Sequence, residues 1–147
     1  MTTVTAHIVV PDASQAALWY EKAFGAQELS RIPLPDGKTL AVEISIGSSH
    51  IHVGSEFPQA GIVSPLTIGG TATVLQVNVD DVDELWRRAV SAGASVRHAL
   101  ADAFWGERHG QIVDPFGHRW NLAQRLRVVS SSEIAAAAAK LFGSASN

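Results

Sequence analysis

The feature that most constrains this chain is a repeat. A strand, an acidic residue, a helix and a Gly-Ala pair occur twice, about 68 residues apart. Residues 5–10, Asp12, a helix ending at Phe24 and Gly25-Ala26 come first; residues 74–79, Asp81, a helix ending at Ala92 and Gly93-Ala94 follow in the same order. Asp12 and Asp80 or Asp81 suit helix starts, where a carboxylate accepts free backbone N–H groups and complements the dipole. Gly25 and Gly93 suit the helix ends.

After each helix the apolar residues change to a period of two, as strands require. In the first half this predicts strands over residues 27–32, 39–46 and 50–53, separated by Pro35-Asp36-Gly37 and Gly47-Ser48-Ser49 turns. In the second half it predicts strands over residues 95–99, 111–113 and 119–124, with an Asp114-Pro115-Phe116-Gly117 turn between the last two. Each half therefore reads as βαβββ. The expected organisation is a first module over residues 1–54, a Gly/Pro/Ser/Thr-rich linker over 55–71, a second module over 72–125 and a helical appendage over 126–147. The appendage helix is placed at about 132–142, around five consecutive alanines, with a frayed end over 143–147. The fold class is α+β: two βαβββ modules forming a cupped mixed sheet, with a C-terminal helix.

One helix covers one face of each module's sheet and leaves the other bare, so two modules together enclose a shared concavity. Strand alternation assigns His7, Glu43, His50, His52, Gln76, Asn78, Arg119 and Asn121 to that side, opposite sets such as Ile8/Val10, Val42/Ile44 and Trp120/Leu122. So many polar groups do not suit a dry core, since buried polar atoms need partners. A wet or ligand-filled cavity accommodates them; so does a solvent-facing, half-covered sheet. Glu43 is the candidate catalytic group, a carboxylate inside an otherwise apolar strand, where burial would favour the neutral acid and a partner such as Arg119 would hold it ionised.

Composition excludes several classes. The 147 residues, 46% hydrophobic, suffice for one well-cored domain or two small fused modules. No run of 18 apolar residues appears, so no membrane span is expected. The first residues read as a strand rather than a secretory signal, so export by that route is not expected, and with no cysteine there is no disulfide, thiolate nucleophile or Cys-bound zinc. A cytoplasmic protein is expected. A net charge of −3 and a pI near 6.0 offer no basic field to phosphates, so no nucleic-acid partner is expected.

The run Phe104-Trp105-Gly106-Glu107-Arg108-His109-Gly110, with the Asp114-Pro115-Phe116-Gly117 turn and Trp120-Asn121-Leu122, resembles the end of a module in the vicinal oxygen chelate superfamily, the glyoxalase and bleomycin-resistance proteins. Its lead-in is similar to the PhnB-like branch. Val79-Asp80-Asp81-Val82-Asp83-Glu84-Leu85 with Ala89 and Ala92-Gly93-Ala94 matches upstream, and Val10-Pro11-Asp12, Trp19-Tyr20 and Phe24-Gly25-Ala26 match at the start. The resemblance spans about residues 4–125.

Enzymes of that superfamily bind one divalent metal through the first and last strands of both modules. The corresponding positions here are Thr5, Val74, Asn121 and His52. That set is poor in the His and carboxylate donors such metals need. No cofactor is therefore expected; the alternative is one divalent metal ion at a displaced site drawn from His7, His52, Gln76 and Glu43. The resemblance then implies a small organic molecule in the cup, contacted by His7, His50, His52, Gln76, Asn78, Arg119 and Asn121, with Phe104 and Trp105 at its edge. Trp19 and Trp120 are expected in the core, and Glu107 and Arg108 are expected to pair with each other or fix their loop. A homodimer is the expected assembly. The rival functions are a metal-dependent lyase, isomerase or dioxygenase, and an interaction module using the sheet and the alanine-rich helix.

Overall fold

The computed structural model describes residues 1–143; the expectation for the chain end falls largely on residues outside these. The first module runs β1 (Ala6–Val10), α1 (Ala13–Phe24), β2 (Gln27–Pro33), β3 (Thr39–Ile46) and β4 (Ser49–Ser55). A 3-10 turn (Pro58–Ala60) and a short helix α2 (Pro65–Ile68) lead to the second: β5 (Val74–Asn78), α3 (Val82–Ser91), β6 (Ser95–Asp102), β7 (Glu107–Val113) and β8 (Arg119–Arg125). Helix α4 (Ser131–Gly143) follows. Both sheets have the same topology, β1-β4-β3-β2 and β5-β8-β7-β6. The first strand of each pairs in parallel with the last, and the remaining pairs are antiparallel, so both sheets are mixed.

Each helix begins where the acidic residue predicts. The Asp12 carboxylate accepts from the Ser14 and Gln15 amides, and Asp81 accepts from that of Glu84. Along α1 the buried residues Ala13, Ala16, Ala17, Tyr20, Ala23 and Phe24 follow the helical period. The alanines let the helix lie close against Val10, Val42, Ile44 and Val53, all essentially inaccessible. Burying each such branched side chain contributes roughly 1.5–3 kcal/mol.

The helices also join the modules. Trp19 Nε1 donates to the Ala92 carbonyl at 2.8 Å, and Arg88 Nη2 donates to that of Lys22 at 2.9 Å. His118 Nε2 lies 2.7 Å from the Val9 carbonyl; because a carbonyl can accept but not donate, that nitrogen carries the proton. Tyr20, Phe24, Phe116 and Trp120 pack ring against ring between the modules. At their centre is Asp114, 4% exposed. One of its oxygens accepts from Tyr20 Oη at 2.5 Å and Trp120 Nε1 at 2.8 Å; the other accepts from the Phe116 and His118 amides.

Two glycines are fixed by space. Gly110 lies within β7 beneath Trp86, where an added Cβ would stand 2.5 Å from the indole, so it is a packing residue. Gly117 closes the β7–β8 turn at φ +91°, and its Cβ would meet that of Pro65 at 2.9 Å. Helix α2 thereby sits on the second module's hairpin. Among the described residues no helix is long and apolar enough to cross a membrane.

Removing the Asp114 carboxylate leaves two buried side-chain donors without an acceptor. Asp114→Ala should cost about 3 kcal/mol or more in urea unfolding, and Tyr20→Phe about 1 kcal/mol.

Burial first, and Asp114 second, raise the Tyr20 phenol well above its ordinary 10.0. The folded state therefore holds this proton at pH values where the unfolded chain has released it. The stabilisation is complete below pH 10.0 and is lost as pH rises above that value. Tyr20 is the chain's only tyrosine, so tyrosinate absorbance reads it directly. Ionisation should coincide with alkaline unfolding, and titration near 10.0 in the still-folded protein would contradict the burial argument.

Candidate functional site

With the helices on one side, the opposite faces of both sheets carry the polar residues. On the first sheet, register places His7 opposite His52 and His52 opposite Glu43, with His50 two pairs along, on the same face, opposite Ser45. The rings of His7 and His52 stack at 4.4 Å and 6°. Glu43 lies between the other two histidines, 3.2 Å from His50 Nδ1 and 4.0 Å from His52 Nε2, and accepts a long bond from Ser30 Oγ at 3.5 Å. The Glu43 side chain is 28% exposed and that of His52 39%, so this group is open to solvent on one side.

The second sheet's face is a chain of amides. Gln76 Nε2 donates to Asn78 Oδ1 at 3.0 Å and, less closely, to Glu107 Oε2 at 3.4 Å. Asn121 Nδ2 approaches Gln76 Oε1 at 3.5 Å, Gln111 Nε2 donates to Asn121 Oδ1 at 2.8 Å, and Arg119 Nε donates to Gln111 Oε1 at 3.0 Å. Each amide holds its neighbour's orientation, which leaves the row preorganised.

Phe104 and Trp105 form the tip of the β6–β7 hairpin, closed by the Ala103 amide donating to the Glu107 carbonyl at 2.7 Å. Trp105 stands edge-on to Phe104 and His109, and its indole Nε1 donates to Glu107 Oε1 at 2.6 Å. The tip is thereby attached to the amide row through Glu107.

Sequence reasoning missed Glu107, His109 and Gln111, which share the polar face of β7. Gly106 and Gly110 make this stretch look like loop, so the strand was expected to start at residue 111; the alternation Glu107, His109, Gln111 against Arg108, Gly110, Ile112 was the available signal. Of the two expectations for Glu107 and Arg108, mutual pairing and fixing their loop, the contacts match the second: the two point to opposite faces of one strand, Glu107 accepts from the Trp105 indole, and Arg108 binds Asp83 and Asp102 on the helix side. Arg119 belongs to the second sheet's row, whereas the charged neighbours of Glu43 are His50 and His52.

No hydrogen bond joins the two polar groups among the described residues, but two cavities touch both modules. One, of about 660 Å³, is lined by His50 from the first sheet and by Gln76 and Asn78 from the second. The other, of about 230 Å³, is lined by His7, Val9, Leu75, His118 and Arg119 among others.

The donor set does not fit a family-type divalent metal. Thr5 precedes β1, Val74 has no donor, and the Asn121 carbonyl oxygen is engaged by Gln111. Among the described residues no group of three or more His, Asp or Glu side chains is placed to hold an ion.

The glyoxalase/bleomycin resistance protein/dioxygenase superfamily matches residues 2–122, and the chain belongs to it. It is 42% identical over 134 residues to the uncharacterized protein Rv0887c of Mycobacterium tuberculosis H37Rv, covering 89% of this chain and 79% of that one. Among solved structures, TioX from Micromonospora sp. ML1 superposes with a TM-score of 0.67 at 25% identity, over 88% of this chain and 100% of that one. A PhnB protein from Bacillus cereus shares the fold at a TM-score of 0.64 and 13% identity, over 84% and 99% of the two chains.

Burial lowers the pKa of His109 from 6.5; Glu107 opposes that shift and His98 adds to it. Its imidazole should titrate by NMR with a midpoint below 6.5, leaving a neutral ring beside Trp105 at neutral pH. A midpoint at or above that value would mean that Glu107 outweighs desolvation.

Proposed function

We propose that this protein binds a small organic molecule against the polar faces of its two sheets, without a tightly held metal. The observation that carries the reading is the connected row Asn78–Gln76–Asn121–Gln111–Arg119. Oriented neutral amides select a ligand by its hydroxyl, carbonyl or amide groups and offer little to a divalent ion. His7, His50, His52 and Glu43 supply further donors and acceptors from the first sheet, with Glu43 as the group able to exchange a proton with a bound molecule. Phe104 and Trp105 present apolar surface at the rim. This is the binding-protein mode of the glyoxalase/bleomycin-resistance superfamily, in a cytoplasmic homodimer of PhnB-like type.

The rival reading is a metal-dependent lyase, isomerase or dioxygenase with an ion displaced to His7, His52, Gln76 and Glu43. Its support is His52, whose ring stacks on that of His7 and lies 4.0 Å from Glu43. Elemental analysis of protein purified without chelator or affinity-tag metal separates the two. The binding reading predicts less than stoichiometric metal, and ligand affinity unchanged by chelator. Stoichiometric metal that is lost in His52→Ala would overturn it.

Trp105→Ala should weaken ligand binding by about tenfold while leaving the assembly state unchanged, because the indole supplies a large stacking surface. Conversion of dimers to monomers with unaltered affinity would make Trp105 an assembly residue instead.

A further inference from the structure

Arg31, Arg87, Arg108 and Arg127 each meet a carboxylate. Among the described residues Arg88, Arg97, Arg119 and Arg125 meet none, and of these only Arg97 and Arg119 share a cavity. Both line one cavity of about 490 Å³ at the end of the second sheet's polar face, and no Asp or Glu lines it. Its other walls include Pro65, Leu66 and Val113, with Thr71 at the edge. Arg119 is held in place by neutral acceptors, the Gln111 side chain at 3.0 Å and the Thr71 carbonyl at 3.4 Å, so its charge is positioned but not neutralised. The Thr71 hydroxyl accepts from the Thr73 amide and keeps its own proton to donate.

Arg97 and Arg119 both line this cavity and no carboxylate lines it to offset their charge, so it favours an anionic over a neutral occupant. The apolar wall from α2 sets what that anion carries. We propose that this cavity is an oxyanion subsite, accepting the carboxylate or phosphate of a ligand whose remainder is compact and apolar. Arg97 and Arg119 bind the oxyanion, the Thr71 hydroxyl donates to it, and Pro65, Leu66 and Val113 cover the apolar part. The inference deepens the binding reading above and rests on it: Arg119 ends the amide row, so the ligand's charged end lies here and its neutral polar groups lie along Gln111, Asn121 and Gln76. The cavity also adjoins the one reaching His7, with which it shares Pro65, Gly70, Thr71 and Arg119.

The test is calorimetric titration of the full chain with phenylphosphate, benzoate and the neutral benzyl alcohol. Phenylphosphate or benzoate should bind at least tenfold more tightly than benzyl alcohol, with affinity falling as salt is added. Whichever of the two binds more tightly distinguishes a phosphate from a carboxylate ligand. Arg97→Gln should weaken the anion by about tenfold. Among the described residues the Arg97 side chain makes no hydrogen bond or ion pair, so this variant removes none. Arg97→Lys should recover part of the loss, and Arg87→Gln, which removes an equal charge from the exposed face of α3, should have no effect. The proposal is overturned if neither anion binds, if benzyl alcohol binds equally well, or if Arg97→Gln stays within twofold of the parent. Benzyl alcohol binding that is lost in Asn121→Ala but indifferent to Arg97 would retain the small-molecule reading and discard the oxyanion subsite.

Discussion

The arrangement depends on one buried carboxylate. Asp114 accepts from Tyr20 of the first module, from Trp120 of its own sheet and from two amides of its own turn. A buried charge is costly unless it is well paired, and here four donors meet it. The same contacts set the geometry. They tie α1 to the β7–β8 hairpin, fix the apolar sides of both sheets against a shared set of helices and rings, and leave the polar faces turned away from that core. The site exists because the core was satisfied on the other side.

The two polar faces differ in chemistry. The first concentrates titratable groups, with three histidines around one glutamate. The second is mostly neutral and hydrogen-bonded along its length, with Glu107 at one end and Arg119 at the other. A row of amides gains its selectivity from orientation, since each member's free lone pair or N–H is determined by the bond its neighbour already makes. Under the proposed binding function, such a row would discriminate among neutral polar groups and the arginine end would add preference for charge. Superfamily membership adds the precedent of a fold that serves unrelated chemistries, so the activity has to be argued from these side chains.

Much of this was legible in the chain. The repeated strand–Asp–helix–Gly-Ala pattern gave both modules, and β3 was placed at its observed ends because apolar alternation is uninterrupted between a Gly turn on either side. The faces of β1, β3, β4, β5 and β8 followed from parity alone. What escaped was of two kinds. Strand β7 begins four residues earlier than expected, because Gly110 serves close packing under Trp86 and a lone glycine reads locally as loop. Partnerships between distant residues also escaped: Tyr20 with Asp114, Arg108 with Asp83 and Glu43 with two histidines rather than Arg119. No local pattern encodes which acid meets which base across a sheet, since that depends on how the modules dock.

The central claim is that ligand chemistry occurs on the sheet faces opposite the Asp114 core. Its most direct measurement is NMR mapping of the isotope-labelled protein against a panel of small aromatic acids and alcohols, following backbone amides and the side-chain NH₂ groups of Gln76, Gln111 and Asn121. The account predicts shifts at these three groups and at the Trp105 indole, with the Trp120 indole unmoved and chelator without effect. Shifts confined to α1, α3 and the Trp120 indole, or shifts that appear only when a divalent metal is added, would contradict it.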